Sequence, residues 1–486
     1  MPTTSDTSWF ITASEFLLDG KKLYIDIGET NPPASIWLYV PAVAFARLIG
    51  MKPEIAVVSW IFMIMAGSFA CAAAILARSG LSRRFDMVMM GATGLALFAI
   101  LPGDTFSQRE HIAALLILPF LAATLARVHN LQIGFPLMIA AGLCGGVVAV
   151  IKPHFVLALE LPVLVAFAAR PGWRTIFSAE NVTAGLVTVA YVASTLIFHP
   201  LFWHEVMRVN AVVYLPLADR GQGLWIALAL AVALAPACGI YSGRKFLRRP
   251  GALCYAAFLG FSVAFVLQGK LWVYHFYPAI TIGILGVALA VLYRPAELQD
   301  ESTAFGKAAF ASRQWLTGIF IPYLAALFVL LTFSVFFFRQ RDYEPLAAAI
   351  TRIKAAPSIA IFSGEIAVGH PVTRMVRGRW SMTQPALWVQ TNGLDLRARS
   401  DFDASTLPVV EAIENADMAV FLSDLRRNRP DILLAKEGDE TLRARLQAYP
   451  GMAQELDRYR LVDTVVVERD SLVVDIYARQ DRLSPR

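Results

Sequence analysis

The sequence predicts a polytopic α-helical membrane protein that ends in a soluble α/β domain. Three observations predict it. Of the 486 residues, 57% are hydrophobic and only 16% charged, with a mean hydropathy of +0.56. Soluble domains hold roughly 45–50% apolar and about 25% charged residues, so lipid is the solvent for much of this chain. Second, the charge is uneven: the first two-thirds is charge-poor, and the stretch after Phe338 has an ordinary soluble composition. Third, apolar runs of about 20 residues, enough to cross a bilayer, recur through the first part.

These runs lie near 55–77, 85–102, 111–128, 134–151, 154–169, 181–198, 222–242, 251–268, 276–293 and 317–338. The chain thus divides into residues 1–54, a first loop with an interfacial helix; 55–338, a transmembrane domain of about ten helices; and 339–486, the α/β domain. The stretch Ser35–Ile49 follows Pro32-Pro33 and is too short to span. Its Trp37 and Tyr39 suit the headgroup level, where amphipathic rings collect.

The net charge of +6 is placed in short loops between apolar runs, as at Arg83-Arg84 and at Arg244-Lys245 with Arg248-Arg249. That placement marks loops kept in the cytoplasm and argues against nucleic acid as a partner. Alternation then puts Asp104–Glu110, Lys152–His154, His199–Gly221, Gln268–His275 and the C-terminal domain on the opposite side. In a bacterial inner membrane this is the periplasm. Cys71, Cys144, Cys238 and Cys254 all fall inside apolar runs, so no disulfide framework or metal-ligand spacing is present.

In the C-terminal part, the short apolar runs Ser358–Phe362, Met418–Leu422, Ile432–Leu434, Thr464–Val467 and Leu472–Ile476 alternate with helical stretches such as Glu440–Ala448. Strands interleaved with helices indicate an α/β domain.

The chemistry concentrates in the outward loops. The first holds Asp6, Asp26, Glu29 and Asn31. A carboxylate here serves as general base if an acceptor hydroxyl comes within hydrogen-bond reach; otherwise the acids only keep the loop wet. The second loop brings Asp104, Gln108, Arg109, Glu110 and His111 directly to the start of a span. Ionisable groups at a membrane mark function by default, with a capped helix start as the plainer alternative. Arg109 offers a planar fork for two phosphate oxygens. Lys152 and Lys270, followed by Tyr274 and His275, sit at span ends, where snorkelling to lipid phosphate is the competing explanation. Cations beside a carboxylate base suit glycosyl transfer from a lipid phosphate.

An acid near Trp9, the run Leu17-Leu18-Asp19-Gly20-x-x-Leu23-Tyr24-x-Asp26, and then Asn31-Pro32-Pro33 resemble the first extracytoplasmic loop of GT-C glycosyltransferases, which use polyprenyl-phosphate sugars. The interfacial helix, Gly50 and the following span ending in Arg83-Arg84 fit as well. So does Lys270-x-x-x-Tyr274-His275-x-x-Pro278, and the likeness covers about residues 1–340. It implies a GT-C-like fold, with Asp6 as catalytic base and a second acid at Asp104 or Glu110. It also implies a span just before Asp6, so the natural start is expected upstream of Met1; with no such span, Asp26 becomes the better base.

The resulting expectation is an inverting transferase moving a hexose or pentose to an extracytoplasmic glycan, lipid or protein. Asp6, Asp26 and Glu110 are the catalytic candidates. Arg109, Lys152, Lys270, His111, Tyr274 and His275 would face the donor, and Glu29, Asn31, Asp104 and Gln108 the substrate loop. A divalent cation, magnesium or manganese, is left open on Asp6 and Asp104. The rival is a lipid-carrier flippase, polymerase or transporter without glycosyl transfer. A secondary transporter would need midplane charges and an internal repeat, whereas the ionisable residues here gather at one face, with Glu160 the main exception, and no repeat is visible.

Overall fold

The computed structural model describes residues 4–239, 246–293, 341–468 and 471–482. The chain forms two compact units: Met1–Val57, Thr195–Ala218 and Gln340–Arg486 in one, Val58–Ser194 and Asp219–Arg339 in the other.

The helical unit follows the apolar runs. Among the described residues, six helices are long and apolar enough to cross a membrane: α4 (Pro53–Arg78), α6 (Arg109–Val128), α10 (Ala179–Phe198), α12 (Arg220–Ala237), α13 (Pro250–Gln268) and α14 (Val273–Leu292). The shorter α5 (Met87–Leu95, continued by a π-turn to Ile100), α7 (Phe135–Ile151) and α8 (Val156–Ala169) are also apolar. Apolar on all sides, α6, α13 and α14 form the interior, and α10 and α12 expose most of their surface. Small residues set the close crossings: a Cβ on Gly260 of α13 would strike the backbone of Leu157 and Ala158, and one on Gly146 of α7 would strike Val187. The expected span 317–338 and the basic residues Arg244, Lys245 and 294–313 lie outside the described residues.

The second unit joins the chain's beginning to its end. Residues 5–18, expected as loop, form α1 (Ser5–Leu18), capped by Thr4. Trp9, Phe10, Ile11 and Ala13 are no more than 1% exposed. The expected interfacial helix is two pieces, α2 (Ala34–Trp37) and α3 (Val40–Ile49), the second closed by Gly50 in the left-handed conformation (φ 69°). Trp37 is exposed as expected, but Tyr39 is buried and stacks on Phe10 at 5.3 Å. Its ring belongs to the core, not the headgroup layer. The segment 195–218 is helical too, with π-turns at Phe202–Val206 and Asn210–Tyr214. Val213 enters a cluster with Val389, Leu396, Val410 and Ile413.

The sheet of the C-terminal domain has the order β2-β1-β3-β5-β4. Strands β1 (Ser358–Ile361), β2 (Arg379–Trp380) and β3 (Ile432–Lys436) are parallel; β5 (Leu472–Arg479) runs antiparallel to β3 and β4 (Tyr459–Glu468). The interior strand β1, flanked by β2 and β3, is buried throughout, as a parallel strand covered on both faces must be. Met418–Leu422, expected as a strand, lies instead in the helix Leu407–Asn428. Its apolar run is one turn of a helical stripe: Val410, Ile413, Phe421 and Leu425 share the buried face.

Candidate active site

The charged cluster of the helical unit starts at the head of α6. Ser107 takes a positive φ of 67°, turning the chain so that Gln108, Arg109 and Glu110 enter the helix buried. Glu110 is fully enclosed. Lys152 lies where α7 breaks into an extended residue (φ −145°) before Pro153. Its Nζ donates to Glu110 Oε1 at 2.5 Å and to Gln268 Oε1 at 2.5 Å. His275 places Nε2 3.8 Å from the same Glu110 oxygen, and its ring packs against Trp272 and Tyr274. Its Nδ1 has no hydrogen-bond partner among the described residues.

An enclosed ion pair contributes little net stability, because desolvation offsets most of the attraction. Lys270 follows Gln268 by two residues and is half-buried, and Asp104 is exposed in a short 3-10 turn. His111, expected among the donor-binding groups, is a structural ring. Its Nδ1 accepts from the Ser107 N–H and its Nε2 bonds the Phe98 carbonyl at 2.8 Å, so both nitrogens are committed.

The acids of the first segment have three different environments. Asp6 stands half-buried in the first turn of α1, where the helix dipole favours a carboxylate. Asp26 is exposed and accepts the Lys22 N–H at 2.9 Å, closing a local turn. Glu29 is buried and saturated. Its Oε2 accepts from the Trp9 indole, and its Oε1 from the N–H groups of Thr30 and Asn31 and the Asn31 side chain. Expected to face substrate, Glu29 and Asn31 instead brace the loop.

No family model matches the sequence, and no curated protein matches it significantly. The fold does match a solved structure, that of ArnT from Cupriavidus metallidurans in the apo state. The alignment covers 100% of this chain and 95% of that one, with a TM-score of 0.53 at 15% identity. The chain has a GT-C fold. The likeness first visible in the Asp6–Pro33 segment is thus shown at the level of architecture.

On this GT-C scaffold several partners were not assigned from sequence. Gln268 shares Lys152 with Glu110, although it stands 116 residues away from that lysine. In the first segment, Ser8 Oγ lies 3.1 Å from His370 Nδ1, and the His370 ring packs tilted against Trp380 with centroids 4.4 Å apart. Arg374 bridges Glu15 at 2.6 Å and Glu54 at 2.5 Å. Burial, with Arg374 nearby, pushes the His370 imidazole down to about 3. Gly28 donates its N–H to the Thr383 carbonyl at 2.8 Å. Among the described residues, no three His, Cys, Asp or Glu side chains converge to hold a metal ion.

Proposed function

We propose that this protein is a membrane glycosyltransferase that moves a sugar, with inversion, from a polyprenyl-phosphate donor to an extracytoplasmic glycan, lipid or protein acceptor. The observation that carries the proposal is the enclosed Lys152–Glu110 pair with His275, set on a GT-C fold. A lysine sequestered between apolar helix ends suits an anion that arrives on a lipid tail.

In this reading the donor phosphate takes up Lys152, with Arg109 and Lys270 as further cations and His275 Nδ1 as a hydrogen-bonding group. Glu110 holds the Lys152 ammonium in place and is too enclosed to serve as an exposed base. Asp6 takes the proton of the acceptor hydroxyl. The hydroxyl oxygen attacks the anomeric carbon from the face opposite the phosphate. A new C–O bond forms, the bond to the phosphate oxygen breaks, and polyprenyl phosphate departs carrying the electron pair. Cationic groups stabilise the charge developing on that oxygen, the interaction that contributes most to such transfers. The setting is a bacterial inner membrane with the C-terminal domain in the periplasm.

The test is transfer of radiolabelled sugar from polyprenyl-phosphate donors in membranes containing the protein. Label should reach an acceptor, and Lys152→Met should abolish it. Lipid translocation without any new glycosidic bond would replace this reading by that of a flippase.

A further inference from the structure

The C-terminal domain carries a groove none of whose residues has a part in the proposed bond-making step. It is an open groove of about 1170 Å³, larger than the roughly 300–1,000 Å³ of pockets built for a single small molecule. One wall is a face of the helix Leu407–Asn428, where Glu411, Asn415, Met418, Leu422 and Arg426 recur at three- and four-residue spacing. The other is the end of the helix Glu440–Ala448, continued by Tyr449 and Pro450. The chain then turns at Gly451 (φ 81°), where a Cβ would meet the Arg426 guanidinium.

The floor is apolar, formed by Met418 and Leu422, and the rim is polar. Three arginines stand on that rim, each tied to an acid. Arg427 binds Asp424 at 2.8 Å, Arg426 lies 3.7 Å from Glu455, and Arg445 pairs with Glu414. The carboxylates lie beneath, with Asp424 and Glu414 at 2% and 0% side-chain exposure, while Arg426 and Arg427 are 52% and 67% exposed. Arg445 Nε has no hydrogen-bond partner among the described residues.

This pairing discriminates between ligand classes. Arg397 also binds Glu414 and Arg458 also reaches Glu455, while Glu411 adds a further carboxylate to the lining, so positive and negative charge are close to balanced here and the rim holds little net attraction for phosphate or an anionic lipid. A purely apolar ligand would strip water from guanidinium N–H groups without replacing it, which is costly. A saccharide meets both surfaces. Its CH faces cover the apolar floor and the Tyr449 ring, and its hydroxyls accept from planar N–H donors held in place by their salt bridges or donate to Glu411 and Asn415. We infer that this groove binds a neutral oligosaccharide several units long. Joined to the transferase reading, on which only this last step rests, it narrows the acceptor to a glycan.

The test uses the full chain in detergent and saturation-transfer NMR with short neutral gluco-, manno- and arabino-oligosaccharides. Oligogalacturonate and phosphatidylglycerol vesicles are the anionic comparisons. At least one neutral series should bind. Asn415→Trp, which fills the groove from an exposed helix position, and Tyr449→Ala should each weaken it by about tenfold, a change of about 1.4 kcal/mol, with thermal unfolding unchanged. Binding that survives both substitutions, or that appears only with the anionic ligands or with none, overturns the inference. Saccharide binding without sugar transfer would remove the transferase reading and leave the groove's assignment standing. Transfer without saccharide binding would do the reverse.

Discussion

The indole N–H of Trp9 donates to Glu29 Oε2 at 2.7 Å, joining the first helix to the loop that follows it. Trp9 stands one turn after Asp6 on α1, so this bond fixes the helix that carries the proposed base. Replacing Glu29 with Ala should destabilise the protein by about 2–4 kcal/mol, since several buried donors lose one charged acceptor. Thermal unfolding measures that loss. Transfer should fall as well, and Glu29→Gln, which keeps the shape and part of the bonding, should lie between Ala and the parent.

Lys152→Met leaves Glu110 enclosed without its cation, which costs about 3–5 kcal/mol. Adding Glu110→Gln removes the orphaned charge and should restore most of the lost stability, while sugar transfer stays absent. Recovery of activity in the double variant would show that the pair is structural only.

Arg374 binds Glu15 and Glu54, two acids from the beginning of the chain. Arg374→Ala should loosen the C-terminal domain from α1 and α4's first turn. Limited proteolysis should then cut near residues 1–20 at lower protease concentrations. Arg374→Lys should recover only part of the protection, because one ammonium cannot match the guanidinium's directed bonds.

His370 is buried neutral with its imidazole near 3, well below an unfolded histidine near 6.5. Below pH 6.5 the unfolded chain takes up the proton first, so stability falls as pH drops from about 6.5 to 3, by of order 4 kcal/mol. Asp417 opposes this over part of the range. Burial raises its carboxyl to about 6, so the folded state is favoured by protonation as pH falls from 6 to about 4. The difference between parent and His370→Gln isolates the histidine: the variant should be less stable at pH 7 and lose less on acidification. An identical acid response in the two proteins, followed by scanning fluorimetry, would contradict it.

Asp6 and Asp26 are separated by substitution. Asp6→Asn should lower transfer by roughly 10²–10⁴-fold, the usual weight of a general base, while costing only about 1 kcal/mol or less of stability from the lost charge at the helix start. Asp26→Asn should leave transfer within a few-fold and cost no more than about 1 kcal/mol, the scale of one exposed turn bond.

The apolar helices of the described residues and the loops bearing ionisable residues were legible because both signals are local. A helix in lipid must be apolar along its whole length, and the residues that interrupt it are visible in the chain itself. Four β runs and the helix Glu440–Ala448 could be read for the same reason. Met418–Leu422 could not, since a five-residue apolar run fits a strand or one turn of a buried helix equally well.

The sequence by itself determined a membrane-embedded helical part, a soluble α/β tail and which loops carry charge. Only the tertiary structure decided how the charges are used. Lys152 finds Glu110 from 42 residues away and Arg374 finds Glu15 from 359 away, and no periodicity encodes a pairing at such separations. Burial then sorted chemically similar residues. Glu29 and Glu110 became braces, Tyr39 and His111 became core, and Asp6 kept partial exposure at a helix start. The reason is physical: composition sets which solvent a segment prefers, but desolvation and hydrogen-bond satisfaction depend on neighbours that only the folded chain supplies.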